Sequence, residues 1–299
     1  MSDIVIRGLT SYDECVQVRY VQRRCWGFAQ KDMGLYPPLL LSVSENGGTV
    51  LGAFDGDQMV GYLFGYPALH DPDGRRILKI HSQTMGVLPE YRNRGLAEQL
   101  KWAQRDRALA LGIELVTWTF DPLEGTNAHL NLHKLGGIAR TYKRNVYGEH
   151  FGQLNEGQPT DRFLVEWWIA RERLPWPGAQ RAQGRQVALA WCPEGTGQAS
   201  FTQSVSSCVT HVEGTRAQQR LVGYDLGRTD DSLTVEIPDS IQAIRRADLA
   251  LAREWRLGTR EIFETYFANG YVAVDLVGQP DGAGRHNCYV LARLASSGS

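Results

Sequence analysis

Eleven consecutive residues, Val87-Leu88-Pro89-Glu90-Tyr91-Arg92-Asn93-Arg94-Gly95-Leu96-Ala97, carry side chains and spacing suited to holding an anion. The residues before them, Ile77 to Val87, alternate loosely and are rich in strand formers. After them Leu96, Leu100, Ala103, Ala108 and Leu111 recur at helical spacing. A strand therefore runs through a proline stop into a helix, expected to open near Asn93. The first turn of a helix has backbone N–H groups with no intrahelical acceptor, and its dipole favours negative charge. Gly95 removes the Cβ that would keep a ligand away, and Arg92 and Arg94 add positive charge. Such a junction fits a pyrophosphate; the bland alternative is a solvated basic helix start.

The elements around this junction follow from local signals. Ile4-Val5-Ile6 reads as a first strand, and Ser11-x-x-Glu14 is a capping box for a helix carrying Tyr12, Cys15, Val18 and Val21. Thr49 to Phe54 and Met59 to Tyr66 flank Asp55-Gly56-Asp57 as a β-hairpin. A strand from Glu114 to Phe120 follows the junction helix. Next come a helix ending at Lys134-Leu135-Gly136, then strands from Ile138 to Val146 and Phe163 to Ala170. Leu174-Pro175-Trp176-Pro177-Gly178 and the Gln/Arg/Gly-rich stretch to Arg185 mark a boundary between a domain of residues 1–174 and one of 186–299. In the second, Val187 to Trp191 and Leu233 to Ile237 read as strands, and Ser200 to Gly223 has no clear pattern. Asp239 or Ser240 caps a long helical region expected to break at Leu257-Gly258-Thr259, before strands Tyr271 to Val277 and Cys288 to Leu294.

Composition excludes several classes. A net charge of −1 gives no global attraction to nucleic acid or anionic membranes, so a basic site must be local. Arg140 to Arg144 reads as the solvated face of a strand. Five cysteines, Cys15, Cys25, Cys192, Cys208 and Cys288, include no C-x-x-C pair, which argues against a disulfide framework and a cysteine zinc site and for a reduced, cytoplasmic setting. No apolar signal region or membrane-length apolar run is present, so a soluble protein is expected. His129 and His133 stand four apart, a zinc-compatible spacing, but lack the intervening Glu of a metalloprotease and a third ligand; no metal is expected. There is no G-x-S-x-G hydrolase elbow.

Arg92-x-x-Gly95-x-Ala97 resembles the Q/R-x-x-G-x-G/A signature of the GNAT superfamily of N-acetyltransferases, as does the Val-x-Pro-Glu-Tyr-Arg wording before it. The element order from residue 4 to about 170 matches as well. His81-Ser82-Gln83, Trp118-Thr119-Phe120-Asp121-Pro122-Leu123 and the long C-terminal extension are similar to a poorly characterised subgroup of predicted acetyltransferases. The resemblance implies an α+β fold with a mixed, mostly antiparallel central sheet flanked by helices. The C-terminal α+β segment, ending strand-helix-strand-strand, resembles half of such a domain; without a phosphate-binding motif it reads as structural or substrate-shaping rather than a second active site.

The resemblance also implies acetyl-CoA or another acyl-CoA as co-substrate, gripped by Arg92, Asn93, Arg94, Gly95, Leu96 and Ala97. Backbone groups of Met85, Gly86 and Val87 would face its pantetheine arm if the strand is bulged at Gly86, with Asn127 and Lys134 on the later helix. In one branch of the superfamily the general-base glutamate lies eleven residues before the signature, which here is His81. An imidazole of pKa ~6.5 suits that task; a packed strand histidine is the alternative. Asp121 is either an orienting group on the acceptor side or a turn aspartate capping its loop. The tyrosine that many members place four residues before the helix-ending glycine is Leu132, flanked by Asn131 and His133, and the usual asparagine position holds Gly125. Tyr142 and Tyr147 are alternative thiolate acids. The segment Trp26 to Leu41 would lie over the acceptor. The expected function is acyl-CoA-dependent N-acyl transfer to a small amine or amino acid by direct attack in a ternary complex, with succinyl-CoA as a donor variant. A catalytically silent CoA-binding regulatory or assembly protein is the competing class.

Overall fold

The computed structural model describes residues 4–27, 34–71, 76–148, 157–170, 174–175, 188–189, 207–214, 216–281 and 284–293. The chain forms two compact units that divide inside one strand, between Trp118 and Thr119, with residues 168–170 belonging to the first.

In the first unit, strands β1 (Val5–Gly8), β2 (Thr49–Asp55), β3 (Gln58–His70) and β4 (Ile77–Val87) pair antiparallel in sequence order. β5 (Leu115–Phe120) then runs parallel to β4. Helix α1 (Tyr12–Trp26) opens on Ser11, whose hydroxyl accepts from the Glu14 N–H at 3.3 Å; Glu14 in return accepts from the Thr10 N–H at 2.8 Å. It buries Cys15, Val18 and Val21 in a core shared with Tyr62, Leu63, Leu88 and Leu100. α2 (Pro37–Glu45) follows, so the segment expected over the acceptor is partly helical; residues 28–33 lie outside the described part.

In the second unit, the end of β5 leads to α4 (Gly125–Ala128), a π-helical turn (His129–Lys134), β6 (Ile138–Lys143) and β7 (Arg162–Trp168). β8 (Leu174–Pro175) and β9 (Ala188–Leu189) form a small antiparallel pair in the region where a boundary was expected. β10 (Ser207–Cys208), β11 (Thr210–Glu213), β12 (Arg220–Tyr224) and β13 (Ser232–Ile237) fill the stretch that showed no clear pattern. α5 (Ile241–Ala247), α6 (Leu249–Ala268), β14 (Tyr271–Asp281) and β15 (Gly284–Arg293) complete it. α6 is unbroken at Gly258; the helical region breaks instead at Asp248, whose carboxylate caps the Leu251 N–H at 3.0 Å. Gly258 is there for packing, since a Cβ would stand 2.6 Å from Leu221.

The strand order of this unit is a near-palindrome, β5-β7-β6-β14-β15-β13-β10. β6 pairs antiparallel with β7 and shifts register after Ala139; β14 pairs antiparallel with β15 and shifts register after Ala273. Ala139 and Ala273 pair with each other, so the two hairpins meet at equivalent positions. β13 runs parallel to β10 for two residue pairs, as β5 does to β4. The C-terminal segment thus has the layout of half the preceding domain.

Candidate active site

At the junction the structure corrects the expected helix start. Pro89–Tyr91 form a single 3-10 turn, and α3 (Leu96–Ala110) opens three residues later than expected. The cause is backbone handedness: Asn93 (φ 61°) and Gly95 (φ 77°) both lie in the left-handed region, which no helix interior accepts. Gly95 caps α3 without a side-chain bond, and the first intrahelical bond runs from Gln99 N–H to Gly95 C=O at 3.0 Å. The N–H groups of Leu96, Ala97 and Glu98 precede that bond and point out of the helix end. Arg92, Asn93, Arg94 and Gly95 are exposed. The Arg94 guanidinium lies over the Tyr91 ring at 5.1 Å, and the Tyr91 hydroxyl donates to Asp55 at 2.7 Å, which fixes the 3-10 turn to the β2–β3 hairpin. The Val87 carbonyl receives both Arg92 Nε and the Cys25 thiol at 3.2 Å, holding the end of β4.

β4 is bulged, but not at Gly86. The register steps from Thr84 opposite Phe64 to Ser82 opposite Gly65, so the extra residue is Gln83. Gly86 is small because a Cβ would meet Tyr62 at 2.8 Å and Cys25 at 3.0 Å. β4 and β5 pair only at Ile80–Val116 and His81–Thr117, so the strands fork immediately beyond His81. His81 sits at that fork, half-buried, its Nδ1 3.2 Å from Thr117 Oγ1 and its ring 5.4 Å from the Tyr66 ring.

The second unit holds the remaining candidates. Asp121 follows β5 and is buried, and its carboxylate takes both Arg256 terminal nitrogens of α6 at 2.7 and 2.6 Å, with Arg162 3.6 Å away. Burial pushes this carboxyl up, but the charge and hydrogen bonds of Arg256 win and hold it below its ordinary range. It also accepts the Leu123 N–H at 2.9 Å, and Tyr289 donates to the next carbonyl, Pro122, at 2.8 Å. Asp121 is therefore committed to holding the β5–α4 loop. Asn127 and Lys134 are exposed on α4 and the π turn. Leu132 is fully buried on that turn. Of the two tyrosines, Tyr142 donates to Asp161 at 2.8 Å and burial pushes its hydroxyl far above the usual range. Tyr147 lies 3.1 Å from Thr119 Oγ1 at the end of β5. Arg140 and Arg144 are not merely solvated: they pair with Glu166 at 2.9 Å and Glu264 at 2.6 Å. His133 lies 3.0 Å from the buried Asp275 carboxylate of β14.

Two groups escaped the sequence reading. Glu124 heads α4, accepts from Gln242 at 2.6 Å, and is pushed up by burial and then by the Asp121 charge; a carboxylate within three residues of another was its only sequence signal. Lys101 is buried on α3 in line with Ala97, Gln104 and Ala108, a helical stripe that the sequence displays. Among the described residues no cluster of three or more His, Cys, Asp or Glu could hold a metal, and no helix is long and apolar enough to cross a membrane.

Residues 15–136 match the acetyltransferase (GNAT) family. No curated protein matches the chain. Solved structures with which it shares similarity include the ribosomal-protein-S18-alanine N-acetyltransferase of Escherichia coli (14% identity, TM-score 0.44, 57% of this chain and 96% of that one). Arabidopsis thaliana NAA60 in complex with acetyl-CoA is another (13%, 0.43, 56% and 100%). A third is an acetyltransferase of the GNAT family from Streptococcus pneumoniae (16%, 0.42, 56% and 99%).

Proposed function

Since the chain carries a GNAT acetyltransferase domain over residues 15–136, we propose that it is an acyl-CoA-dependent N-acyltransferase, with acetyl-CoA as donor and the amine of a small molecule or amino acid as acceptor. The observation that carries this reading is the start of α3. Three outward N–H groups, two exposed arginines and a left-handed Gly95 make a complete pyrophosphate cradle at the end of a bulged strand. CoA would lie with its pyrophosphate on Arg92 to Ala97 and its arm along the open edge of β4 beyond Gln83, where Met85 to Val87 offer backbone groups. When bound it supplies an activated thioester.

His81 takes the acceptor's proton, directly or through one water, while Thr117 orients its ring. The need for a base depends on the acceptor. An α-amine of pKa ~8 is about one-tenth neutral at pH 7, whereas a lysine amine near 10.4 is more than a thousandfold protonated, a gap of ~3 kcal/mol. The amine attacks the thioester carbonyl, the C–S bond breaks, and the thiolate takes a proton. Tyr147, at the β5 terminus, is the group we assign to that last step, since Leu132 cannot serve and Tyr142 is committed to Asp161. Asp121 and Arg256 hold the β5–α4 loop in place, and residues 186–299 act as a structural or substrate-shaping part. The free thiols Cys15, Cys25, Cys208 and Cys288 suit a reducing cytoplasm.

The buried Leu132 favours a second reading, a CoA-binding protein without turnover. Thiol release from acetyl-CoA and from succinyl-CoA, measured across a panel of amines and amino acids, separates the two. Turnover with any acceptor supports the enzyme; CoA binding without thiol release supports the silent protein. Absence of any thermal shift at millimolar CoA sinks both.

A further inference from the structure

Lys101 is the one lysine of the first unit buried in the core of its helix face, and nothing in the acyl-transfer reading uses it. Its Nζ lies 2.8 Å from Ser82 Oγ on β4, 3.3 Å from Gln104 Oε1 on the same helix, and 3.7 Å from the centre of the Trp118 ring on β5. Gln104 in turn donates to Thr49 Oγ1 on β2 at 2.8 Å. Ser82, Gln104, Thr49 and Trp118 are all buried, and no carboxylate joins the group. Burial alone pushes the Lys101 ammonium well below the ordinary lysine range. A buried amine without a counter-charge is costly, and a leucine or methionine would fill the same volume without that cost. Its position explains what it does. Ser82 and Trp118 are the residues immediately after His81 and Thr117, the last pair of the β4–β5 register. Ser82 also abuts the bulged Gln83. The amine therefore bridges the two strands at the point where they part.

We propose that Lys101 is the positioning residue of the β4/β5 fork, tying Ser82 on one strand to the Trp118 face on the other and so fixing the opening that receives the extended arm of an acyl thioester. The proposal rests on the CoA reading above. It separates two parts of the ligand: the phosphates meet only the Arg92–Ala97 turn, whereas the arm meets the fork.

The test uses the full-length protein and two probes, CoA and 3′-phosphoadenosine 5′-diphosphate, which keeps the pyrophosphate and lacks the arm. Lys101→Met should weaken CoA binding by about tenfold or more while leaving the arm-less nucleotide within about twofold of wild type. Ser82→Ala should show the same split, smaller in size, and carries the test if the melting curve shows Lys101→Met unfolded. Equal loss for both probes would reduce Lys101 to a general core residue and overturn the proposal, as would unchanged CoA affinity in a folded variant. A wild-type protein that binds neither probe would instead overturn the CoA reading itself.

Discussion

The protein contains two parallel forks, and they differ in what fills them. In the first unit β4 and β5 part after two residue pairs, beside a helix start that is left uncapped and exposed. In the second unit β10 and β13 likewise pair at two positions, but their continuation is stoppered by side chains. Thr210 Oγ1 accepts the Glu236 N–H at 2.8 Å, and Gln219 Oε1 accepts the Asp239 N–H at 2.8 Å. The Gln219 carbonyl takes the Trp255 indole N–H at 2.8 Å. No glycine-bearing basic helix start accompanies the second fork; the β11–β12 hairpin stands in that part of the chain. One layout serves binding where its backbone groups are left for a ligand, and structure where side chains satisfy them.

This comparison can be broken at several points. The largest effect should come from Arg256→Met, which strands the buried Asp121 carboxylate beneath the second unit's helix and should cost ~3–5 kcal/mol in urea unfolding. The penalty has a pH signature. Asp121 is held below its unfolded value, so the stability it contributes is present above the ordinary carboxylate range and is lost as pH falls through its lowered value. The difference between wild type and variant should therefore narrow in acid; a gap that widens there would mean the pair is not what holds the loop.

His81→Ala should lower kcat by roughly a hundredfold with little change in CoA affinity, and the loss should shrink as pH rises and the acceptor deprotonates unaided. Unchanged turnover at pH 7 on an acceptor of pKa above ~9 would remove His81 from the mechanism. Next in size, Gly95→Val should weaken CoA binding by at least about tenfold, because the left-handed backbone and the cradle both exclude a branched side chain. Its Cβ meets nothing of the protein closer than Gln99 at 3.9 Å, so a folded variant that binds CoA normally would show the phosphate site to be elsewhere. The smallest effect belongs to the stoppered fork. Thr210→Val should cost about 1 kcal/mol for one lost hydrogen bond and leave CoA affinity untouched. If it created a second CoA equivalent in a calorimetric titration, the contrast between the forks would collapse.

Much of this was legible in the sequence because it is local. The capping box at Ser11, the Asp55-Gly56-Asp57 hairpin, the glycine start at residue 95 and the leucine spacing of α3 each declare themselves within a few residues. What escaped is long-range. Arg256 reaches Asp121 across more than a hundred positions, and no local rule pairs them. The same holds for the bulge at Gln83, which is defined only by its register against β3, and for the unbroken α6, where Gly258 answers to Leu221 on another element. Lys101 was hidden differently. A lysine on an amphipathic helix reads as surface, and only its alignment with Ala97, Gln104 and Ala108 hints otherwise.

The meeting of β6 with β14 has a consequence for how the molecule behaves at low concentration. An unpaired strand edge is an open template, and many proteins close one by recruiting a second subunit, which dilution then strips away. Here the neighbour of β6 is supplied by the same polypeptide, tied down further by His133 on Asp275 and by Arg260 on Asp161 at 2.8 Å. Covalent continuity gives that neighbour an effective concentration no dilution can lower. This edge stays covered in a single molecule, whatever the number of copies around it.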